Sequence, residues 1–132
     1  MPQPKLRVGL IGCGGMARNH VRGYLNTGRY EVVALADLHP AAMDEYDAEF
    51  GLATTHYADG REMLDREGLD VVSIGTWHKG HAPWTVATAA RRPKAILCEK
   101  PMADSLQGAE QMRVACKRNG VKLAIGLQRR FL

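Results

Sequence analysis

Leu6-Arg7-Val8-Gly9-Leu10-Ile11-Gly12-Cys13-Gly14-Gly15-Met16-Ala17 sets the pattern for the whole chain. A short, largely apolar stretch runs into three glycines, after which Ala17, Val21, Tyr24 and Leu25 recur at helical spacing. The spacing predicts a strand over Leu6 to Ile11, a glycine turn, and a helix from Met16 to Leu25. Within the turn, Gly12-x-Gly14-x-x-Ala17 assigns each position a physical task. Gly12 permits the tight bend, Gly14 lets backbone approach a phosphate with no Cβ in the way, and Ala17 allows close packing of helix on strand. Amides at the helix start then face the anion. A merely structural turn can produce the same pattern, so a second signal is needed. Asp37, twenty residues beyond Ala17, supplies it: an acceptor at the end of the next strand, where an adenosine ribose 2′-OH would lie. Together the two signals point to a dinucleotide.

The pattern continues outward. Gly28 closes the first helix, and Tyr30 to Ala36 is a near-continuous apolar run suited to a strand buried on both faces. Pro40 opens a helix to Phe50, ended by Gly51. A short strand over Thr54 to Tyr57 and a helix from Asp59 to Glu67, stopped by Gly68, follow. Asp70 to Gly75 reads as a β-branched fourth strand, Thr76 to Gly80 as a loop, and the helix holding Pro83 ends before Pro93. Ala95 to Cys98 is a fifth strand. A helix capped by Asp104 or Ser105 then runs to Asn119, with Gly120 as its stop and Val121 to Leu127 as a sixth strand. Six alternations with no long linker or repeat predict an α/β architecture. It is a doubly wound, mostly parallel Rossmann sheet of about six strands with helices on both faces. In strand order 3-2-1-4-5-6 the chain reverses between strands 1 and 4, and ligands bind at the strands' carboxyl ends. Gly12 to Ala17, Thr76 to His81, and Glu99 to Pro101 all sit at such ends.

With 132 residues, residues 1–132 are expected to form one dinucleotide-binding domain around one core. Hydrophobic residues at 45% and charged residues at 24% exclude disordered and fibrous classes. No apolar run approaches the roughly 18 residues of a membrane span, so no membrane partner is expected. The net charge of +4 is uneven: residues 91–132 hold ten basic and three acidic side chains. That block lacks interleaved aromatics and helix-turn-helix or zinc-finger spacing, so no nucleic-acid partner is expected. The bland alternative is a solvated face. Cys13, Cys98 and Cys116 fit neither a disulfide framework nor a zinc site and suggest a reducing cytoplasm. Leu10-Ile11-Gly12-Cys13 matches a lipoprotein cleavage box locally, but its apolar stretch is shorter than the roughly 7 to 15 residues of an export segment.

Val8 to Ala17, the Asp37 strand end, Asp70-Val71-Val72-Ser73-Ile74, His81 and Glu99-Lys100-Pro101 together resemble the N-terminal half of the glucose-fructose oxidoreductase/inositol dehydrogenase/MocA (Gfo/Idh/MocA) family. Glu-Lys-Pro after the fifth strand is the most specific mark, and an Arg-Phe pair like Arg130-Phe131 commonly follows the sixth. The resemblance implies an NAD(P)-dependent oxidoreductase in which the Lys of Glu-Lys-Pro lies at the substrate hydroxyl, nominating Lys100. It also implies that Glu99 and His81 line the crevice, with His81 a second catalytic candidate. The sequence departs from the family pattern at Thr76-Trp77, where Thr-Pro is usual. The family's C-terminal substrate domain is absent, which implies a truncated chain that binds cofactor without efficient turnover and tends to self-associate or to meet its missing domain.

Hydride transfer from a secondary alcohol needs a group to take the hydroxyl proton, and burial or a nearby cationic nicotinamide ring would ready an amine for it. Lys100 has two alternatives, a surface lysine or a partner of Glu99. The cofactor-binding candidates are Gly12, Cys13, Gly14, Gly15, Met16, Ala17, Asp37, Thr76, Trp77, His81, Glu99 and Lys100. Cys13, near helix-start amides, is either a reactive thiol or a filler of the turn. His81 is either a cofactor contact or a helix-start residue packed on Trp77 or Trp84. Trp77 stays open between stacking near a nicotinamide and a core or interface position. Gln128 and Arg129 would reach substrate only in a longer enzyme. His20, His56 and His78 show no metal-ligand spacing, so no metal is assigned. Asp37 favours NAD, since a 2′-phosphate beside a carboxylate is repelled; His39 and Arg18 are the residues that would soften this for NADP. The competing class is a stand-alone, non-catalytic dinucleotide-binding module or regulatory partner.

Overall fold

In the computed structural model, residues 3–100, 103 and 105–126 are described. Six strands alternate with five helices: β1 Leu6–Ile11, α1 Ala17–Thr27, β2 Tyr30–Ala36, α2 Pro40–Phe50, β3 Thr55–Tyr57, α3 Gly60–Arg66, β4 Val71–Ile74, α4 His81–Ala89, β5 Ala95–Glu99, α5 Leu106–Asn119 and β6 Lys122–Gly126. A short 3₁₀ turn, His78–Gly80, lies inside the loop before α4. All strand pairs are parallel, in the expected order β3-β2-β1-β4-β5-β6.

Side chains on β1 alternate between the two faces of the sheet, as a two-residue period requires. Val8 and Leu10 join Val21, Leu35, Met43 and Tyr46 under α1 and α2. Ile11 faces the other way, into a core of Met63, Val72, Ile74, Ile96 and Met112 under α3, α4 and α5. Register then aligns the working edge. Ile11 is level with Ala36 of β2 on one side and with Ile74 of β4 on the other. The residues that follow, Gly12, Asp37 and Gly75, therefore emerge together at the point where the winding changes direction.

Gly28, Gly51 and Gly120 close α1, α2 and α5, and Ser105 caps α5 by accepting from the Gly108 amide at 3.0 Å. The other cap candidate, Asp104, lies outside the described residues, as do Pro101 and Leu127 to Leu132. Differences from the sequence expectation are local. β3 starts one residue late because the Thr54 hydroxyl is turned to Asp47, 2.7 Å away. Helix α3 stops at Arg66, one residue before the expected Glu67: Glu67 is already extended, and its carboxylate is held by Arg7 at 3.0 Å and the Tyr57 hydroxyl at 2.5 Å. At the start of α3, Asp59 is the cap itself and accepts from the Arg61 amide at 2.9 Å.

Candidate functional site

The turn between β1 and α1 is built against the end of β4. Gly12 has φ +90°, and a Cβ there would lie 2.7 Å from the Thr76 amide nitrogen. Glycine is therefore required twice over, by conformation and by space. The small residue at the third fingerprint position has an identifiable neighbour: a Cβ on Gly75 would stand 2.5 Å from the Cβ of Ala17, which is fully buried. Helix α1 thus rests directly on the backbone that follows β4. Its first turn has no side-chain cap, which leaves the helix start free to receive a negative group.

Two side chains hold this turn from the β2 side. Asp37 accepts hydrogen bonds from the Cys13 amide through Oδ2 and from the His39 amide through Oδ1, each at 2.8 Å. The Tyr46 hydroxyl donates to the Gly14 carbonyl at 2.5 Å. Between the turn and the loops after β2, β3 and β4 lies a cavity of about 650 Å³. Gly12, Cys13, Gly14, Asp37, Thr76 and Trp77 from the sequence candidates line it, together with His39, Asp59, Gly60 and Trp84. Gly15 and Met16 are exposed beside it. Trp77 is 68% exposed with the Lys79 ammonium 5.2 Å from its ring centre, so it is not a core residue.

The remaining candidates stand apart from that lining. His81 is buried, with Nε2 2.8 Å from the Thr76 carbonyl oxygen, and so braces the loop after β4. Glu99 is buried at the end of β5, its Oε2 2.7 Å from Nε2 of His20 on α1. Burial pushes the His20 imidazole below its ordinary value, against the opposing pull of Glu99. Lys100 follows as an exposed residue. Cys13 is no activated thiol: burial, with Asp37 adding to it, pushes its pKa up to about 12. Arg18 is engaged by Glu49 at 2.8 Å and Glu45 at 3.7 Å, and its guanidinium lies over the Tyr46 ring. Among the described residues no group of three or more His, Cys, Asp or Glu could hold a metal. No helix among them is long and apolar enough to cross a membrane, and all three cysteines are unpaired and buried. Sequence reasoning missed Tyr46, Gly75, Trp84 and the His20 partnership. The signal for His20 was its position three residues after Ala17 and one before Val21, on the buried face of α1.

A glycine turn at the winding reversal of a parallel sheet, with an acid at the next strand end, defines a dinucleotide-binding α/β fold. The profile of the "Oxidoreductase family, NAD-binding Rossmann fold", Gfo/Idh/MocA, matches residues 6–127, and the chain belongs to that family. It is 37% identical over 116 residues to D-apiose dehydrogenase of Paraburkholderia graminis, a match covering 88% of this chain and 30% of that protein. It is 34% identical to glucose-6-phosphate 3-dehydrogenase of Bacillus subtilis, covering 96% and 35%. The WlbA dehydrogenase of Bordetella pertussis, solved with NADH and UDP-GlcNAcA, superposes with TM-score 0.84 at 28% identity, covering 92% of this chain and 37% of that one. The chain therefore spans about a third of the length of the relatives it matches.

Proposed function

We propose that this chain is the NAD-binding part of an oxidoreductase that moves hydride between nicotinamide and a hydroxyl-bearing carbon of a sugar, polyol or related compound. The observation that carries the reading is the juxtaposition of Asp37 with the Gly12 to Gly14 turn at the edge of one cavity. The described groups fit the cofactor: backbone without Cβ atoms for the pyrophosphate, an uncapped helix start for its charge, and a carboxylate for the ribose. NAD is preferred over NADP because Asp37 repels a 2′-phosphate while Arg18 is already neutralised by Glu49 and Glu45.

NAD, when bound, supplies a two-electron hydride acceptor. Lys100 would take the hydroxyl proton as the substrate C–H bond breaks, which leaves a carbonyl product and an ammonium. His81 would fix the Thr76 and Trp77 loop along the cofactor. Substrate contacts are assigned to a further domain, because the relatives are about three times as long as this chain; that domain or a second copy of the chain is the expected protein partner. Three buried, unpaired thiols support a reducing cytoplasm.

Calorimetric titration with NADH and NADPH, beside a turnover assay on a polyol panel, tests the reading. Binding of NADH without turnover is expected from the chain by itself. Failure to bind either nucleotide would overturn the cofactor assignment and favour a scaffold that keeps the fold alone.

A further inference from the structure

Among the described residues, the His20 and Glu99 pair is the one imidazole–carboxyl contact buried on both sides, and the dinucleotide fingerprint does not explain it. Both side chains are almost fully enclosed, at 5% and 9% exposure, and Nε2 and Oε2 are 2.7 Å apart. The contact is close without being well aligned as a hydrogen bond, and Nδ1 of His20 is buried with no partner. Such an arrangement adds little stability, because taking an imidazole and a carboxylate out of water offsets most of their attraction. Apolar side chains of similar volume would hold the helix to the sheet at least as well. What a polar pair adds is direction: it fixes which atom of one element meets which atom of another.

The elements it joins are informative. His20 lies one turn into α1, the helix that carries the glycine turn and whose Ala17 rests on Gly75. Glu99 is the last residue of β5 and immediately precedes Lys100. Between them in the sheet stands β4, to which α1 is separately tied by the Tyr24 and Ser73 hydroxyls, 2.5 Å apart. Leu97 and Ala95 of β5 also pack against the core that holds Ala17, Val21 and Tyr24 of α1, and the pair adds a polar contact at the very end of β5, beside Lys100.

We propose that His20 is a positioning residue: by engaging Glu99 it holds the end of β5, and with it Lys100, at a set distance from the phosphate-binding turn. This rests on the NAD reading above. A dinucleotide laid across the winding reversal has its adenosine half on the β1–β2 side, at Asp37, and its other half toward β4 and β5. Loosening the β5 end should therefore weaken the complete dinucleotide while sparing a ligand that carries only the adenosine and phosphates.

The test compares NADH and ADP affinities of the chain by calorimetry for wild type, His20→Leu, His20→Gln and Glu99→Gln, with thermal midpoints measured alongside. His20→Leu should remain folded and bind ADP within about twofold of wild type, yet bind NADH about tenfold more weakly, the size of one charge-assisted contact. His20→Gln, which keeps a donor near the place of Nε2, should recover part of the loss. If His20→Leu fails to fold, His20→Gln and Glu99→Gln carry the same comparison, with selective loss of NADH affinity expected for Glu99→Gln. Equal losses for NADH and ADP, or folded variants with unchanged NADH affinity, overturn the positioning role and leave the NAD reading standing. A wild-type chain that binds neither nucleotide overturns that reading, and this role with it.

Discussion

The Tyr46 hydroxyl lies 2.5 Å from the Gly14 carbonyl oxygen, so helix α2 supports the glycine turn although the two are 32 residues apart in sequence. The Tyr46 ring is fully buried, and burial holds its phenol well above the ordinary range, so it stays a donor at any working pH. Tyr46→Phe keeps the ring packing and removes only this bond. We expect a stability loss of about 0.5–1.5 kcal/mol and a loosened turn, read as weaker NADH binding in calorimetry with a small fall in melting temperature. Unchanged affinity would show that the turn holds its shape without α2.

Asp37 has a double role that separates two effects of its removal. Its carboxylate shapes the turn through the Cys13 and His39 amides, and in the proposed cofactor site it would repel a 2′-phosphate. Asp37→Ala should therefore weaken NADH clearly while NADPH loses less, because relief of repulsion offsets the damage to the turn. Paired titrations with both nucleotides measure this. Equal losses would remove Asp37 from the ribose role and leave it a turn residue.

The alternation of strands and helices and the glycine turn were legible because they are written locally: apolar runs, stop glycines and the Gly12, Gly14, Ala17 spacing all lie within neighbouring residues. The strand order is instead the usual one for such an alternation, and the sheet has it. Contacts made through the fold were not legible. Gly75 reads as the unremarkable end of a strand until the register of β1 and β4 brings it against Ala17. Glu99 reads as a crevice residue, and its turn toward His20 depends on where α1 crosses the sheet. Gly68 marks the end of α3 to within one residue, and side-chain bonds from Tyr57 and Arg7 to Glu67 place the last helical residue at Arg66 rather than Glu67. Tertiary contacts set the exact boundary there.

The Ala17 and Gly75 approach predicts a pair of compensating substitutions. Gly75→Ala puts two Cβ atoms 2.5 Å apart and should destabilise the chain by about 1–3 kcal/mol, the range for overpacking. Adding Ala17→Gly removes the opposing methyl and should restore part of that loss. A double-mutant cycle from urea melts measures the coupling. Purely additive losses would mean that the clash is relieved elsewhere.

Buried thiols give a prediction for alkaline pH. Burial raises Cys13 and Cys98 to about 12 each and also raises Cys116. In the unfolded chain these thiols ionise near their ordinary value of about 8.5. Between that pH and about 12 the folded state binds more protons than the unfolded one, so stability falls as pH rises. Below the ordinary thiol range the contribution is fully present. Denaturant midpoints from pH 8 to pH 11 should therefore decline steadily, and a thiol reagent at pH 8 should label the folded chain slowly and the urea-unfolded chain at all three positions. Cys13→Ala should flatten part of the alkaline decline. Rapid labelling of Cys13 in the folded chain would show instead that the glycine turn opens to solvent, and would return Cys13 to the class of activated thiols.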